Sequence, residues 1–428
     1  MMACGPQERA IEEGCMPYRL IKYGLSSKHP DERMFRAPSG LKESYDAVII
    51  GAGGHGLAAA YYLARDFGIT DVAVLEKGYI GAGGTGRNTA IIRSNYLTPE
   101  GVKFYDESIR LFKDLSGEFD LNLFYSERGH FTLAHSDSAI RTMRWRAEVN
   151  KHLGVDSEYV EPESVKAACP PIDLTCGGDA PIMGALYHPP GAIARHDAVA
   201  WGYGAGADER GVEIHQGTEV TGIEVKKDRV VGVRTNGGYV RTPKVLSAVA
   251  GWTPSIADMV GLRTPLTVRP LQACVTEPLK PFLDKIMVSG SLHVYVSQSS
   301  RGELVMGGST DPYELNSMRS TLEFAEGLSG HMLDLFPSLS NVKILRVWAG
   351  LCDMTPDFAP IMGRTPVGGF YIDAGWGTWG FKATPVSGKT MAQTVATDRE
   401  PELIHAFRLS RFEDLELTGE KGAASVGH

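Results

Sequence analysis

After a polar opening, short apolar runs alternate with stretches of helical spacing along most of this 428-residue chain. Residues 1–44 carry Pro17, Pro30 and Pro38 and little periodicity, and read as an arm lying over the main body or a partner. The first ordered signal is the β-branched run from Tyr45 to Ile50, followed by Gly51-Ala52-Gly53-Gly54-His55-Gly56. Leu57 to Phe67 is rich in Ala, Leu and Tyr and predicts a helix; Val72 to Leu75 predicts a second strand ending at Glu76. This is a β-α-β unit of about thirty residues. Amphipathic helical spacing returns near 99–117, and from about 121 to 345 short strands alternate with helices. Val220 to Val225, Val230 to Thr235 and His293 to Ser297 are the clearest strands, and their spacing suggests a sizeable antiparallel sheet. Lys244 to Trp252 reads as a strand returning beside the first, with its own glycine turn. Phe370 to Ala374 predicts a late strand, which runs through Gly375-Trp376-Gly377-Thr378-Trp379-Gly380 into a helix from Pro385 to Thr397. There is no internal repeat.

Composition narrows the classes. The formal charge of -8 offers no basic stripe, which argues against nucleic acid or an anionic membrane as the main partner. No apolar run approaches the ~20 residues of a membrane span, and the N-terminus lacks the apolar core of a secretory signal. Cys4, Cys15, Cys169, Cys176, Cys274 and Cys352 are spread too widely for a CxxC pair and read as free thiols, so the expected location is the cytosol. Fifty glycines are an excess that must sit at turns or where backbone approaches a ligand closely.

The glycine motif has the context that a dinucleotide site requires. It follows a strand, opens a helix, and precedes an acid that closes the second strand. Gly51 makes the tight turn, Gly53 and Gly54 with His55 line the approach, and Gly56 lets helix and sheet pack. The helix N-terminus stabilises phosphate charge, and Glu76 accepts hydrogen bonds from ribose hydroxyls. A second cluster follows at once, Gly81 to Thr89, with Gly84, Thr85, Arg87 and Asn88 as further candidate contacts. Gly377 and Gly380 bring the late turn to the same ligand. Contact regions so far apart in sequence suit a long, buried cofactor such as FAD better than NAD.

Through these motifs the chain resembles the FAD-dependent amine oxidases of the D-amino acid oxidase and monomeric sarcosine oxidase superfamily. The stretches GRNTAIIRSNY (86–96), AIARHDAVAW (192–201), HVYVSQ (293–298), ELVMGGSTDPY (303–313) and AGWGTWGFKATP (374–385) narrow the likeness to the beta subunits of heterotetrameric sarcosine oxidases. The resemblance covers Tyr45 to the closing GAASVGH. It implies a Rossmann-like α/β FAD domain, interleaved with an α+β substrate domain built on an antiparallel sheet. The FAD domain would take 45–135, 195–262 and 345–405, the substrate domain 136–194 and 263–344, with 406–428 as a C-terminal tail.

The resemblance also implies two flavins, a noncovalent FAD and an FMN joined to His196, and places Val220, His293 and Tyr295 among the flavin contacts. Taken alone, His196 is an ordinary solvated or core histidine; His188 and His215 are its neighbours that do not match the motif. Arg93 and Lys382 match the residues that hold a substrate carboxylate, although each on its own reads equally as a surface ion pair or a solvated helix-start lysine. Two departures stand out. Trp379 occupies a position where the family usually has glycine, and is expected to narrow the cavity. Gly350 falls where simpler oxidases carry a flavin-linked cysteine ahead of Thr355-Pro356-Asp357, leaving Cys352 out of register as a buried core thiol.

The implied reaction is oxidative demethylation of sarcosine to glycine, the one-carbon unit leaving as formaldehyde or passing to tetrahydrofolate. Electrons pass from FAD to FMN to oxygen, giving hydrogen peroxide. The implied partners are alpha, gamma and delta subunits. Two other readings stay open: an N-methyl amino acid dehydrogenase, for N-methylglutamate for example, using another acceptor, and a flavin-binding scaffold subunit.

Overall fold

In the computed structural model, which describes residues 24–25 and 35–420 apart from the side chain of Ser309, the run at Tyr45 becomes the strand Ala47–Ile50. It pairs in parallel with Val72–Glu76 on one side and Val245–Ser247 on the other. Glu213–Gln216 and Phe370–Ala374 extend the parallel sheet, and Ile361–Arg364 closes it as an antiparallel edge, giving six strands. The strand Ala47–Ile50 is buried along its whole length, as a parallel sheet covered on both faces demands. The helix Gly54–Phe67 packs between Gly380–Thr397 and His196–Glu209.

A second sheet of eight strands runs in the order Ile344–Met354, Thr267–Thr276, Leu304–Thr310, Val294–Gln298, Ile286–Ser289, His130–Ala134, Gly184–His188, Glu158–Val160. The expected antiparallel sheet is therefore mixed, because Ile286–Ser289 and His130–Ala134 pair in parallel. Its apolar face closes against the helix Leu322–Leu335 over a core including Phe131, Val296, Met306 and Leu335. A small antiparallel meander, Val220–Lys226, Arg229–Thr235 and Gly238–Arg241, confirms two of the predicted strands.

Several boundaries move. His130–Ala134 and Ile344–Met354, expected in the FAD domain, belong to the eight-stranded sheet. The late helix begins at Gly380 rather than Pro385, so the proline lies inside it, where it has no N–H to donate to the carbonyl of Phe381. The described residues from Ala37 onward form one unit, so the predicted arm ends earlier, with Lys42 paired to Asp71 and Glu213. Most of residues 1–36 lie outside the described residues, as do Cys4, Cys15 and GAASVGH. The predicted tail is no tail as far as residue 420: Arg411 and Glu420 are both buried. Cys169, Cys176, Cys274 and Cys352 are buried free thiols. Among the described residues no helix is long and apolar enough to cross a membrane.

Candidate active site

The carboxyl ends of the parallel strands open onto a cavity of about 520 Å³, which the eight-stranded sheet walls through Leu271, Ala273, Val288 and Tyr295. Ligands of open parallel sheets bind at this end of the strands. Gly51 turns the chain with a φ of +103°, and a Cβ on it would lie 2.5 Å from the carbonyl of Ala248. Gly56 faces away from the cavity, and its Cβ would lie 2.0 Å from the Gly51 oxygen, so helix and strand touch through backbone there. Glu76 is held in place by the Ala52 N–H (3.0 Å) and the Gly78 N–H (2.8 Å). The two glycine clusters are joined where the Gly54 N–H donates to Thr85 Oγ1 at 2.9 Å. Arg87 donates to the carbonyls of Ala82 and Gly83 and so braces the second cluster. Asn88 Oδ1 accepts the N–H of Ala90 at 2.6 Å.

His55 lines this cavity with both ring nitrogens engaged, one 3.1 Å from an Asp373 oxygen and the other 2.7 Å from the Gly380 carbonyl. Both partners are acceptors, so the ring needs both protons. Burial pushes its pKa down, but the charge and hydrogen bond of Asp373, the Gly380 carbonyl and Asp353 outweigh it, and the net shift is upward. Asp373 also accepts from Trp376 Nε1 (2.6 Å) and Ser387 Oγ (2.7 Å).

At another part of the wall Arg93 and Lys382 come together. Arg93 follows the short strand Ile91–Ile92 and is 6% exposed; its Nη1 donates to Asn95 Oδ1 at 2.9 Å, and its guanidinium lies 4.6 Å from the centre of the Tyr96 ring. Lys382 sits in the first turn of Gly380–Thr397 at 7% exposure, and burial with the Arg93 charge pushes its ammonium well below the usual range. Arg146, reaching in from the helix Asp137–His152, donates from Nε to the Asn95 carbonyl at 2.9 Å. Burial and Arg93 lower it to about 9. This is a buried excess of positive charge, whose nearby carboxylate, Glu420, is turned toward the Leu97 and Thr98 amides. An anionic group of a ligand is the natural counterweight.

The other expected residues divide. Val220, Tyr295, Gly84, Thr85, Gly377 and Gly380 line the cavity, and Trp379 does so as well, its edge against Tyr96. Cys352 is the buried thiol expected, yet it also faces the cavity; burial pushes its pKa far up, so it stays an unreactive thiol. His196 and His293 are not on the cavity wall. His196 opens the helix His196–Glu209 with a side chain 31% exposed, and its Nδ1 accepts the Asp197 N–H at 3.0 Å. His188 and His215 are tied to protein partners, His188 to Asp156 and Ser94, His215 to Glu213 and Tyr45. Sequence reasoning missed His130, Asn95, Arg146, Asp353, Asp373 and Glu420. Only Asn95 lies in a motif, the stretch GRNTAIIRSNY, where Arg93 drew the attention; the tertiary structure brings the others to the site.

A glycine-cradled nucleotide site continuous with a buried cationic recess defines a flavin-dependent oxidoreductase of small carboxylates. The chain belongs to the FAD dependent oxidoreductase family, whose model matches residues 46–394. It is 44% identical over 94% of its length to the sarcosine oxidase subunit beta of Arthrobacter sp., 99% of which is covered. It is 46% identical over 89% of its length to the sarcosine oxidase subunit beta of Rhizobium meliloti, with 91% covered. Among solved structures, L-proline dehydrogenase from P. horikoshii superposes with a TM-score of 0.82 at 29% identity, over 88% of this chain and all of that one. Glycine oxidase from Bacillus cereus shares the fold at a TM-score of 0.76 and 23% identity, over 86% of this chain and 99% of its own.

Proposed function

We propose that this chain is the catalytic beta subunit of a multisubunit sarcosine oxidase, with FAD in the cavity and FMN carried on His196. The observation that carries the reading is the buried pair Arg93 and Lys382 on the wall of a glycine-lined cavity. Glu76 would hold the ribose hydroxyls, and the amides opening the helix Gly54–Phe67 would hold the pyrophosphate. Bound there, FAD supplies the acceptor for the hydride that leaves the substrate's N-methyl carbon.

The chain's own part is orientation and charge. Arg93, aimed by Asn95 and Tyr96, and Lys382 together clamp the substrate carboxylate. Their positive field disfavours a second positive charge, so it favours the amine in its neutral, oxidisable form. Trp379, backed by Tyr96, closes the wall and excludes water. The iminium product takes up one water to give glycine and formaldehyde, or yields its carbon to tetrahydrofolate. The cavity's other cations are engaged, Lys77 over the Trp252 ring at 4.0 Å and Arg87 on the Ala82 and Gly83 carbonyls. A second carboxylate, as in N-methylglutamate, therefore finds no ready partner among the described lining residues.

His196 presents one ring nitrogen to the Asp197 N–H, which leaves Nε2 as the proposed attachment atom. Its place at a helix start beside Phe124 and Arg195, away from the cavity, suits a second flavin at the surface that a partner subunit covers. Alpha, gamma and delta subunits are the proposed partners, with oxygen as the final acceptor and hydrogen peroxide as the product.

The test is anaerobic mixing of the assembled holoenzyme with sarcosine. Bleaching of the flavin with formation of glycine and formaldehyde is expected, and Arg93→Met or Lys382→Met should abolish it with FAD retained. An unreduced flavin would refute the reading. Acid precipitation separates the two flavins: one should stay in the pellet for wild type and leave it in His196→Asn.

A further inference from the structure

His130 and His188 stand directly opposite each other on neighbouring strands, and their surroundings differ. His188 is fully provided for: Nε2 accepts the Ser94 N–H at 3.2 Å and Nδ1 lies 2.6 Å from the Asp156 carbonyl. His130 is 1% exposed, and neither of its ring nitrogens has a hydrogen-bond partner among the described residues. It also lines the cavity that contains Arg93 and Lys382. Gly191 lies against it so closely that a Cβ there would come within 2.5 Å of the His130 Cβ. A buried polar ring left without partners destabilises the site, a cost that a ligand can offset.

We propose that His130 binds the amine of the substrate, its neutral imidazole accepting a hydrogen bond from the substrate N–H. This deepens the sarcosine reading and rests on it. Arg93 can only donate, and so does Lys382 once a carboxylate beside it holds it as an ammonium, so both serve the carboxylate; the imidazole lone pair is what an amine N–H requires. Burial keeps His130 neutral, reinforced by the charges of Arg93, Arg146 and Lys382. A ring so disposed does not take the substrate's proton. The ammonium N–H breaks on binding and its proton goes to solvent. The neutral amine left behind gives its remaining N–H to His130, which holds the methyl carbon in one orientation. His130 thus selects amines over other carboxylates of the same length.

The experiment compares two ligands on the assembled holoenzyme: sarcosine, followed by anaerobic flavin reduction, and methoxyacetate, followed by the perturbation of the flavin spectrum. Methoxyacetate keeps the carboxylate and the chain length but has no N–H. In His130→Leu the second-order rate of reduction by sarcosine should fall by about tenfold or more, while methoxyacetate affinity stays within about twofold. His130→Asn, which restores an acceptor, should recover part of the rate. If His130→Leu fails to hold FAD, the same comparison in His130→Asn decides: loss of affinity for both ligands alike overturns the proposal. So does an unchanged rate with sarcosine in His130→Leu. Should wild-type flavin bind methoxyacetate but not be reduced by sarcosine, the sarcosine reading fails. The amine that does reduce it, paired with its ether analogue, then decides the role of His130.

Discussion

Replacing Arg411 with methionine should strip the protein of much of its stability, although the residue lies in a segment that looked like a tail. The guanidinium is completely buried and all five of its N–H groups are used. Nε and Nη2 meet the two oxygens of Asp357 at 2.8 and 2.9 Å. The remaining donors go to the carbonyls of Ala359, Phe407 and Arg408 at 2.9, 3.0 and 3.2 Å. Burial alone would push the Asp357 carboxyl up, but Arg411's hydrogen bonds and charge, with the Thr418 and Ala359 amides, hold it below its ordinary value. Removing one partner of such a pair strands a buried charge and costs about 3–5 kcal/mol, whereas replacing both with apolar groups is often nearly neutral. Urea unfolding of the flavin-loaded protein should therefore show a large loss for Arg411→Met and a substantial recovery for Arg411→Met with Asp357→Leu. Because Asp357's pKa is depressed, the wild-type advantage should persist above about pH 4 and fade as pH drops through the folded pKa. A single variant within about 1 kcal/mol of wild type, or a double variant worse than the single, would refute the reasoning. The effect reaches the site: the Glu420 N–H donates to the Asp357 carbonyl at 3.0 Å, and the Glu420 carboxylate accepts the Leu97 and Thr98 amides that lead from the Arg93 loop into the helix Pro99–Glu118.

Gly56→Ala would press a Cβ into the Gly51 carbonyl at 2.0 Å, so the purified protein should contain little FAD by absorbance. Burial raises the Asp353 carboxyl to about 7, so the folded state keeps a proton that the unfolded state has lost. Its contribution is full below about pH 4, and wild-type stability relative to Asp353→Asn should fall by about 1.4 kcal/mol per pH unit until about pH 7, then level off. Cys352→Ala should leave the amounts of acid-soluble and acid-precipitated flavin unchanged, since a buried, protonated thiol forms no flavin bond. Among substrates, sarcosine should exceed N-methylglutamate in kcat/KM, and the reverse order would point to a further cation in the pocket.

Local chemistry alone determined the nucleotide half of this protein. A β-branched run, glycines spaced for a turn and a close approach, and an acid at the end of the next strand are all set by neighbours in sequence, and the chain folds there as they require. The same holds for the helix Pro99–Glu118, whose apolar spacing and Thr98 cap are written consecutively. The substrate half was legible only in part. Arg93 and Lys382 stood out through likeness to a family, but their mutual burial depends on nearly three hundred intervening residues folding first. Asn95 lies in the GRNTAIIRSNY stretch, yet nothing local marks it as the residue that aims Arg93, and Glu420, which arrives from the far end of the chain, lies in no motif; a polar residue in a loop reads the same whether or not it is buried. His130–Ala134 falls within the stretch expected in the FAD domain and joins the eight-stranded sheet, since pairing depends on partners that periodicity does not name. His130 is the plainest case. Alternation along the strand sets only which face its ring points to; it took residues of both sheets closing around one cavity to make that face a wall, and burial there, reinforced by three distant cations, to keep the ring neutral.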